Sequence, residues 1–414
     1  MTKFYELSTE QRLQQLYQAG YLSAADLKLL TPSQGLPTEI ASHLVENQIG
    51  AFGVPLGLAQ NFVIDGKSYL VPLATEEPSV IAAASNAAKR CQQAGGFQTK
   101  VRREGLNGQI VFMGQLAHAE QFLAQHLAQI KAVATKAHPS LEQHGGGFKQ
   151  ITVRQVGEFV EFLLLIDPAQ AMGANVVNTL TEAVAHYLAT QLPQLELLMA
   201  ILSNQVPNQR VQVQAQFTFA ELATKKMAGQ QVAKKIVAAS QFAQLSSSRA
   251  ATHNKGTMNG MNAVVLATGN DTRNLNAAAY ADLTDRHPTW TQWQITDDQL
   301  VGTIELPLPL GQVGGAISTL PLAQLSLKIL QQPSAKQLMS IVASVGLASN
   351  LAALRALVTR GIQAGHMNLQ LQSLALMAGA NGAELEAVVA QLRKQPQQAN
   401  LSLAQAILQH LREN

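Results

Sequence analysis

A single cysteine, Cys91, stands in a chain of 414 residues. That excludes an internal disulfide framework and any cysteine-built metal cluster. Charge is scarce too: Asp, Glu, Lys and Arg together make up 13% of the residues, about half the usual share. The 29 Lys and Arg nearly balance the 26 Asp and Glu, leaving a formal charge of +3, so nothing in the balance calls for nucleic acid. No run of roughly eighteen uninterrupted apolar residues marks a membrane span. The N-terminal stretch MTKFYELSTEQRL has no apolar signal region. What the chain does have is apolar bulk, at 47%, much of it alanine and other small residues. Such a chain buries a large core, and its length suggests two or three domains. The expectation is a soluble cytoplasmic protein that keeps few charges on its surface because subunit contacts bury part of it.

Residues 1–50 read as helices, with Ser8/Gln11 and Ser23/Asp26 at capping-box spacing. Alternation around Asn61–Val71, turning at Asp65-Gly66, predicts a hairpin. An Ala-rich helix over 78–93 is entered through Pro78. From about 100 to 215 the order is strand (GQIVFMG), helix, two strands separated by Gly157, helix, strand (LELLMAILSN). That is the β-α-β-β-α-β order of a ferredoxin-like unit, here inserted into a larger domain. Lys100–Glu104 and the VPNQRVQ segment are the expected crossings. Apolar runs lie near Ala263–Thr268 and Thr303–Leu308, and the tail beyond 365 is helical, with Gly361 and Gly365 bracketing a hinge.

Four constellations could carry chemistry. Glu76, Glu77 and Ser79 open the Ala-rich helix, where acids ordinarily complement the helix dipole; the functional alternative makes one glutamate a general acid and Ser79 a hydrogen-bond donor. Arg249, His253 and Lys255 crowd a segment with Asn254, Asn259, Gly256 and Gly260. It reads as a cationic loop, either solvated or suited to a carboxylate or phosphate. Asp271 follows a Gly-Asn turn and caps the next helix. His366 stands after Gly365 at the hinge. The Gly145–Gly147 and Gly314-Gly315 runs are either ligand-lining or ordinary turns, and the AMGAN run (171–175) could offer free helix N–H groups to a phosphate. No His, Asp or Glu spacing suggests a metal. Cys91 reads as structural.

Taken in order, ENQIGAFGVPLG (46–57), ATEEPSVIAAASNAAK (74–89), AMGANVVNTLTEAV (171–184), RAATHNKGTMNGMNAVVLATGND (249–271), PLGQVGGA (309–316) and GIQAGHMNL (361–369) resemble class II, bacterial-type 3-hydroxy-3-methylglutaryl-CoA (HMG-CoA) reductases. The resemblance implies an α+β fold: a large mixed domain (1–104 and 216–364) binding HMG-CoA, an inserted ferredoxin-like NAD(P)-binding domain (105–215) and a C-terminal helical flap (365–414). It implies a four-electron reduction of HMG-CoA to mevalonate and CoA. By motif position Glu77 is the catalytic acid and Lys255 stabilises the oxyanion. Asp271 completes their hydrogen-bond network, and His366 protonates the departing thiolate. Ser79, Arg249 and Asn259 hold the HMG group, and Gln170, Met172, Gly173, Ala174 and Asn175 the dinucleotide. Gln170 stands where the family usually has an acid, which favours NADPH over NADH. The flap also departs from the family, with LQLQS where L-H-A-R-N is common. The resemblance further implies a homodimer or trimer of dimers with the active site between subunits, and neither metal nor membrane. The competing readings are a reductase of a related acyl-CoA and a catalytically silent acyl-CoA-binding protein.

Overall fold

The computed structural model describes residues 4, 7–30, 36–47, 51–361 and 371–413. The chain opens with α1 (Thr9–Gln18), α2 (Ala24–Leu29) and α3 (Thr38–Leu44). Both expected capping boxes form, with Ser8 and Gln11, and Ser23 and Asp26, exchanging side chain-to-backbone bonds. Leu16 and Leu22 then close over Leu325 and Ile329 of the large domain.

The predicted hairpin is β1 (Leu56–Ile64) and β2 (Lys67–Ala74). Asp65 and Gly66 both have positive φ, the requirement of the tight turn whose twist matches the strands. The Asp65 carboxylate also accepts from the Thr99 N–H at 2.8 Å. Next come α4 (Val80–Cys91) and β3 (Phe97–Arg103). Cys91 is fully buried and its thiol is pushed up to about 12 by burial, so it is packing and not chemistry.

The inserted unit runs β4 (Leu106–Met113), α5 (Ala119–Ala137), α6 (Pro139–Gln143), β5 (Gly147–Val156), β6 (Phe159–Asp167), α7 (Ala174–Gln191) and β7 (Glu196–Leu202). Its strands lie in the order β5-β6-β4-β7, every neighbouring pair antiparallel, which is the ferredoxin-like arrangement. Ile110, Phe112, Phe162, Leu164, Leu180 and Val184 fill the core between sheet and helices. Gly145–Gly147 form an ordinary turn behind α6, with Gly145 and Gly146 N–H bonding back to Glu142 and Leu141.

The large domain resumes with β8 (Gln209–Thr218), α8 (Phe219–Leu222), α9 (Gly229–Leu245), α10 (Ser247–Ala267), α11 (Thr272–Ala281), β9 (Thr291–Thr296), β10 (Gln299–Pro307), α12 (Ala316–Thr319), α13 (Pro321–Ile329) and α14 (Ala335–Thr359). Its sheet has the order β2-β1-β3-β8-β10-β9. Here the expected boundary at 215 needs correction. Of the two presumed crossings, Lys100–Arg103 and Gln209–Gln212 belong to neighbouring strands, β3 and β8, paired from Phe97↔Ala215 to Arg103↔Gln209, while Glu104 and Val206–Asn208 lie outside the strands. Val211, Val213, Ala215 and Phe217 alternate into the large core, so the insertion's sheet ends at Leu202. Entry and exit side by side let the second unit be inserted without breaking the first sheet.

The apolar run near Ala263–Thr268 is the end of α10, and Thr303–Leu308 falls largely in β10. Helix α14 is long and apolar enough to cross a membrane, although serines interrupt its apolar run; two-thirds of its most apolar stretch is buried against α10, α4 and the sheet. It serves as a core helix. Its buried Ser344 hydroxyl bonds the Ser340 carbonyl one turn back, which satisfies it without a partner elsewhere. Gly361, at φ +80°, ends the helix. Beyond it come α15 (371–377), α16 (Ala383–Leu392) and α17 (Leu401–Glu413). These three share an apolar cluster of their own, from Leu371 through Val388 and Leu392 to Leu408.

Candidate active site

Two elements build the first group of predicted residues. Ser79 immediately precedes α4 with φ +75°, and Pro78 lies outside the helix it was expected to open. This left-handed conformation costs a residue with a β-carbon about 1–2 kcal/mol. The Ser79 hydroxyl is buried, with no partner among the described residues. Glu77 makes no capping bond to α4, so the dipole-complementing reading does not describe it. Its backbone N–H donates to the Thr75 hydroxyl at 3.1 Å.

The predicted cationic loop is helix α10. Along it, Arg249, Thr252, Lys255, Gly256 and Asn259 repeat at three- and four-residue spacing and line one cleft of about 1270 Å³. The Lys255 Nζ donates to Glu77 Oε2 at 2.8 Å, and the Asn259 Nδ2 to Glu77 Oε1 at 3.1 Å. Both carboxylate oxygens are therefore held. The pair stands open, with the Lys255 side chain 61% and the Glu77 side chain 36% exposed. Of the two glycines, Gly256 lines the cleft and Gly260 serves packing. A β-carbon on Gly260 would lie 2.4 Å from the Ser349 hydroxyl of α14, so only glycine lets these helices approach.

His253 does not join the cations. It is 2% exposed, and burial, reinforced by Arg249, pushes its pKa down to about 4. Its tautomer follows from a neighbour. Trp293 Nε1, which can only donate, bonds Asn350 Oδ1 at 2.8 Å, so the Asn350 amide nitrogen faces His253 Nε2 at 2.9 Å and donates to it.

The same cleft continues past other cations. Arg90 lies roughly 16 Å along α4 from Ser79 at ~1.5 Å per residue. With Lys225, Lys226, Arg355 and Arg360 it lines the cleft. Among the described residues none of these five has an ion-pair partner. Arg355 falls to about 10 through burial and the repulsion of Arg90 and Arg360. It bonds the Leu222 and Ala223 carbonyls, and Arg90 the Glu221 carbonyl. Sequence reading missed this set because its members lie on three separate segments.

The second group of predicted residues gathers elsewhere. Asp271 caps α11 as expected, accepting from the Arg273 and Asn274 N–H groups, and pairs with the Arg273 guanidinium at 2.8 Å. Among the described residues no bond joins it to Glu77 or Lys255. It stands instead near the AMGAN run, since Asn274 donates to the Met172 sulfur at 3.1 Å. Gly173, at φ +112°, precedes α7, and a β-carbon there would lie 2.6 Å from Pro168. Ala174 and Asn175 open α7, whose first turn has no side-chain cap. Gln170 turns its carboxamide oxygen to the Ala335 N–H at the start of α14, at 2.9 Å. Gly314 and Gly315 have positive φ and open space beside them. His366 and Gly365 lie outside the described residues. Among those described, no group of His, Cys, Asp or Glu is placed to hold a metal ion.

Comparison with known proteins places this chain among the oxidoreductases. The sequence model of the family described as hydroxymethylglutaryl-coenzyme A reductase matches residues 8–371. The 3-hydroxy-3-methylglutaryl-coenzyme A reductase of Archaeoglobus fulgidus is 41% identical over 417 residues, covering 99% of this chain and 94% of that one. The probable reductase of Borreliella burgdorferi is 35% identical over 341 residues, 80% of this chain and 77% of that one. Among solved structures, the Streptococcus pneumoniae reductase superposes with a TM-score of 0.82 at 39% identity over 99% of both chains. A class II structure from the same organism, bound to NADPH in open conformations, gives 0.81 at 38% identity over 86% of this chain and 99% of that one. The chain belongs to the hydroxymethylglutaryl-coenzyme A reductase family, with the class II fold. Reduction of HMG-CoA in the mevalonate pathway is its activity, and the silent acyl-CoA-binding alternative is not favoured.

Proposed function

We propose that the chain reduces HMG-CoA to mevalonate and CoA by two successive hydride transfers from NADPH, as a cytoplasmic homo-oligomer whose active site two subunits share. One arrangement carries the reading: Glu77 held on both oxygens by Lys255 and Asn259, beside the buried, unpartnered hydroxyl of Ser79. A thioester oxygen placed against the Lys255 ammonium meets a fixed positive charge where negative charge develops, which favours the transition state over the ground state. Ser79, Arg249 and Asn259 offer donors to the carboxylate and hydroxyl of the HMG group. The unpaired cations from Arg90 to Arg360 suit the phosphates of CoA, with its pantetheine arm lying along the cleft between. Glu77, in contact with Lys255, is placed to protonate the final alkoxide.

The AMGAN loop suits a dinucleotide because α7, entered at Gly173 without a side-chain cap, offers its first N–H groups to a pyrophosphate. Two NADPH molecules, bound in turn, would each supply one hydride. With Gln170 in place of an acid, no carboxylate at that position repels a 2′-phosphate. Asp271 and this loop lie apart from Glu77 and Lys255 within one chain, which supports a site assembled from two. A dimer, or a trimer of dimers, is the form proposed.

Turnover compared at matched NADH and NADPH tests the reading. It should favour NADPH and consume two cofactors per HMG-CoA, with mevalonate as product. A strong NADH preference would remove the argument from Gln170. His366, on the C-terminal segment, is the proposed proton donor to the CoA thiolate. Reference values of about 8.5 for a thiol and about 6.5 for imidazole make that transfer favourable near neutrality. His366→Ala should slow reduction of HMG-CoA far more than reduction of added mevaldehyde, since only the first releases a thiol. Equal losses would count against the role.

A further inference from the structure

Arg103, the last residue of β3, belongs to the large sheet but spends its guanidinium on the loop that opens α7. Its side chain is 4% exposed. Nη1 donates to the Ala169 carbonyl, and Nη2 to the carbonyl of Ala171 at 2.7 Å and that of Leu310 at 3.4 Å. Asp167 Oδ1 lies 3.9 Å from Nη1 and accepts from the Ala169 N–H at 3.0 Å. Ala169 has φ +54°, which a residue with a β-carbon holds only when its surroundings impose it.

A second loop locks the same segment from the other side. A β-carbon on Gly311 would lie 2.1 Å from the Met172 nitrogen. Gln312 N–H donates to the Gln170 carbonyl at 2.8 Å, and Asn270 bonds both the N–H and the carbonyl of Gly311. With its carbonyls drawn inward onto one buried cation, the 168–173 segment delivers Gly173 and the first α7 N–H groups in one orientation.

We infer that Arg103 is the positioning residue for the dinucleotide: it presets the 168–173 loop from the large domain and never touches the cofactor itself. The inference rests on the AMGAN loop being the dinucleotide site. A planar fork reaching carbonyls in two loops is not replaceable by lysine, whose ammonium is a compact point charge. The test uses the full chain with Arg103→Lys and Arg103→Ala. It reads NADPH affinity by tryptophan-to-nicotinamide energy transfer, KM for HMG-CoA, and thermal melting. Arg103→Lys should weaken NADPH binding by about tenfold to a hundredfold and leave KM for HMG-CoA within about threefold. Added guanidinium, but not ammonium, should restore part of the NADPH affinity of Arg103→Ala. Unchanged NADPH affinity in a folded Arg103→Lys, or matched losses for both substrates, would overturn the inference. Ala174→Asp separates the two levels. If it leaves NADPH binding intact, the loop is not the cofactor site and both readings fall. If it weakens binding while Arg103→Lys does not, only the role of Arg103 falls.

Discussion

Lys255→Ala is expected to lower kcat for HMG-CoA-dependent NADPH oxidation by about a hundredfold to a thousandfold, the usual effect of removing a donor aimed at a developing oxyanion. The ammonium is oriented before substrate arrives, by α10 and by the 2.8 Å contact with Glu77. Its alignment is therefore not formed at the expense of the reaction step. Removing it also leaves Glu77 with Asn259 as its side-chain partner, so the proton delivery assigned to Glu77 is disturbed as well. KM for HMG-CoA should move much less, because Ser79, Arg249 and the cations farther along the cleft remain. The fold should survive, since an ion pair this exposed contributes little stability. Steady-state rates with a melting curve of the same preparation decide it. A folded Lys255→Ala enzyme with near-normal kcat would remove Lys255 from the mechanism.

The second large effect is on stability and comes from His253. The folded protein keeps this imidazole neutral down to about pH 4, because it is buried and its Nε2 faces an amide donor. In the unfolded chain it takes up a proton near 6.5. Below that value the unfolded state binds a proton the folded state refuses, so stability falls with pH until about pH 4. A gap of this size corresponds to about 3 kcal/mol over the whole window. Denaturant unfolding of the wild type and His253→Gln at neutral pH and near pH 4.5 measures it. The wild type should lose more stability on acidification than the variant, and parallel losses would show that His253 is not the group responsible. Because His253 bonds across to Asn350 of α14 and Thr291 of β9, acid should also loosen the register of α10, which carries Arg249, Lys255 and Asn259.

Local rules made much of the fold legible. The capping boxes, the Asp65-Gly66 turn, the Asp271 cap and the order of the inserted unit all follow from short-range preferences. The errors share one cause, which is partners distant in sequence. Lys100–Arg103 and the QRVQ end of VPNQRVQ looked like parts of polar connectors because half their side chains face away from the core, and only the β3–β8 pairing makes them parts of central strands. The segment around Lys255 looked like a loop because Gly256 and Gly260 disfavour helix locally. Contact with α14 reverses that preference, since a close helix crossing leaves no room for a side chain at Gly260.

The sequence by itself determined the family, the candidate residues its motifs offer and the scarcity of charge and cysteine around them. Motifs read along one strand of chain carry that much. Only the tertiary structure decided that Glu77, Lys255 and Asn259 meet, that Asn274, capped by Asp271, reaches Met172 of the AMGAN run, and that His253 is a buried core residue among cations. Arg90, Arg355 and Arg103 acquired meaning only there. A charge in sequence has no partner until folding chooses one, and burial together with long-range contact made that choice here.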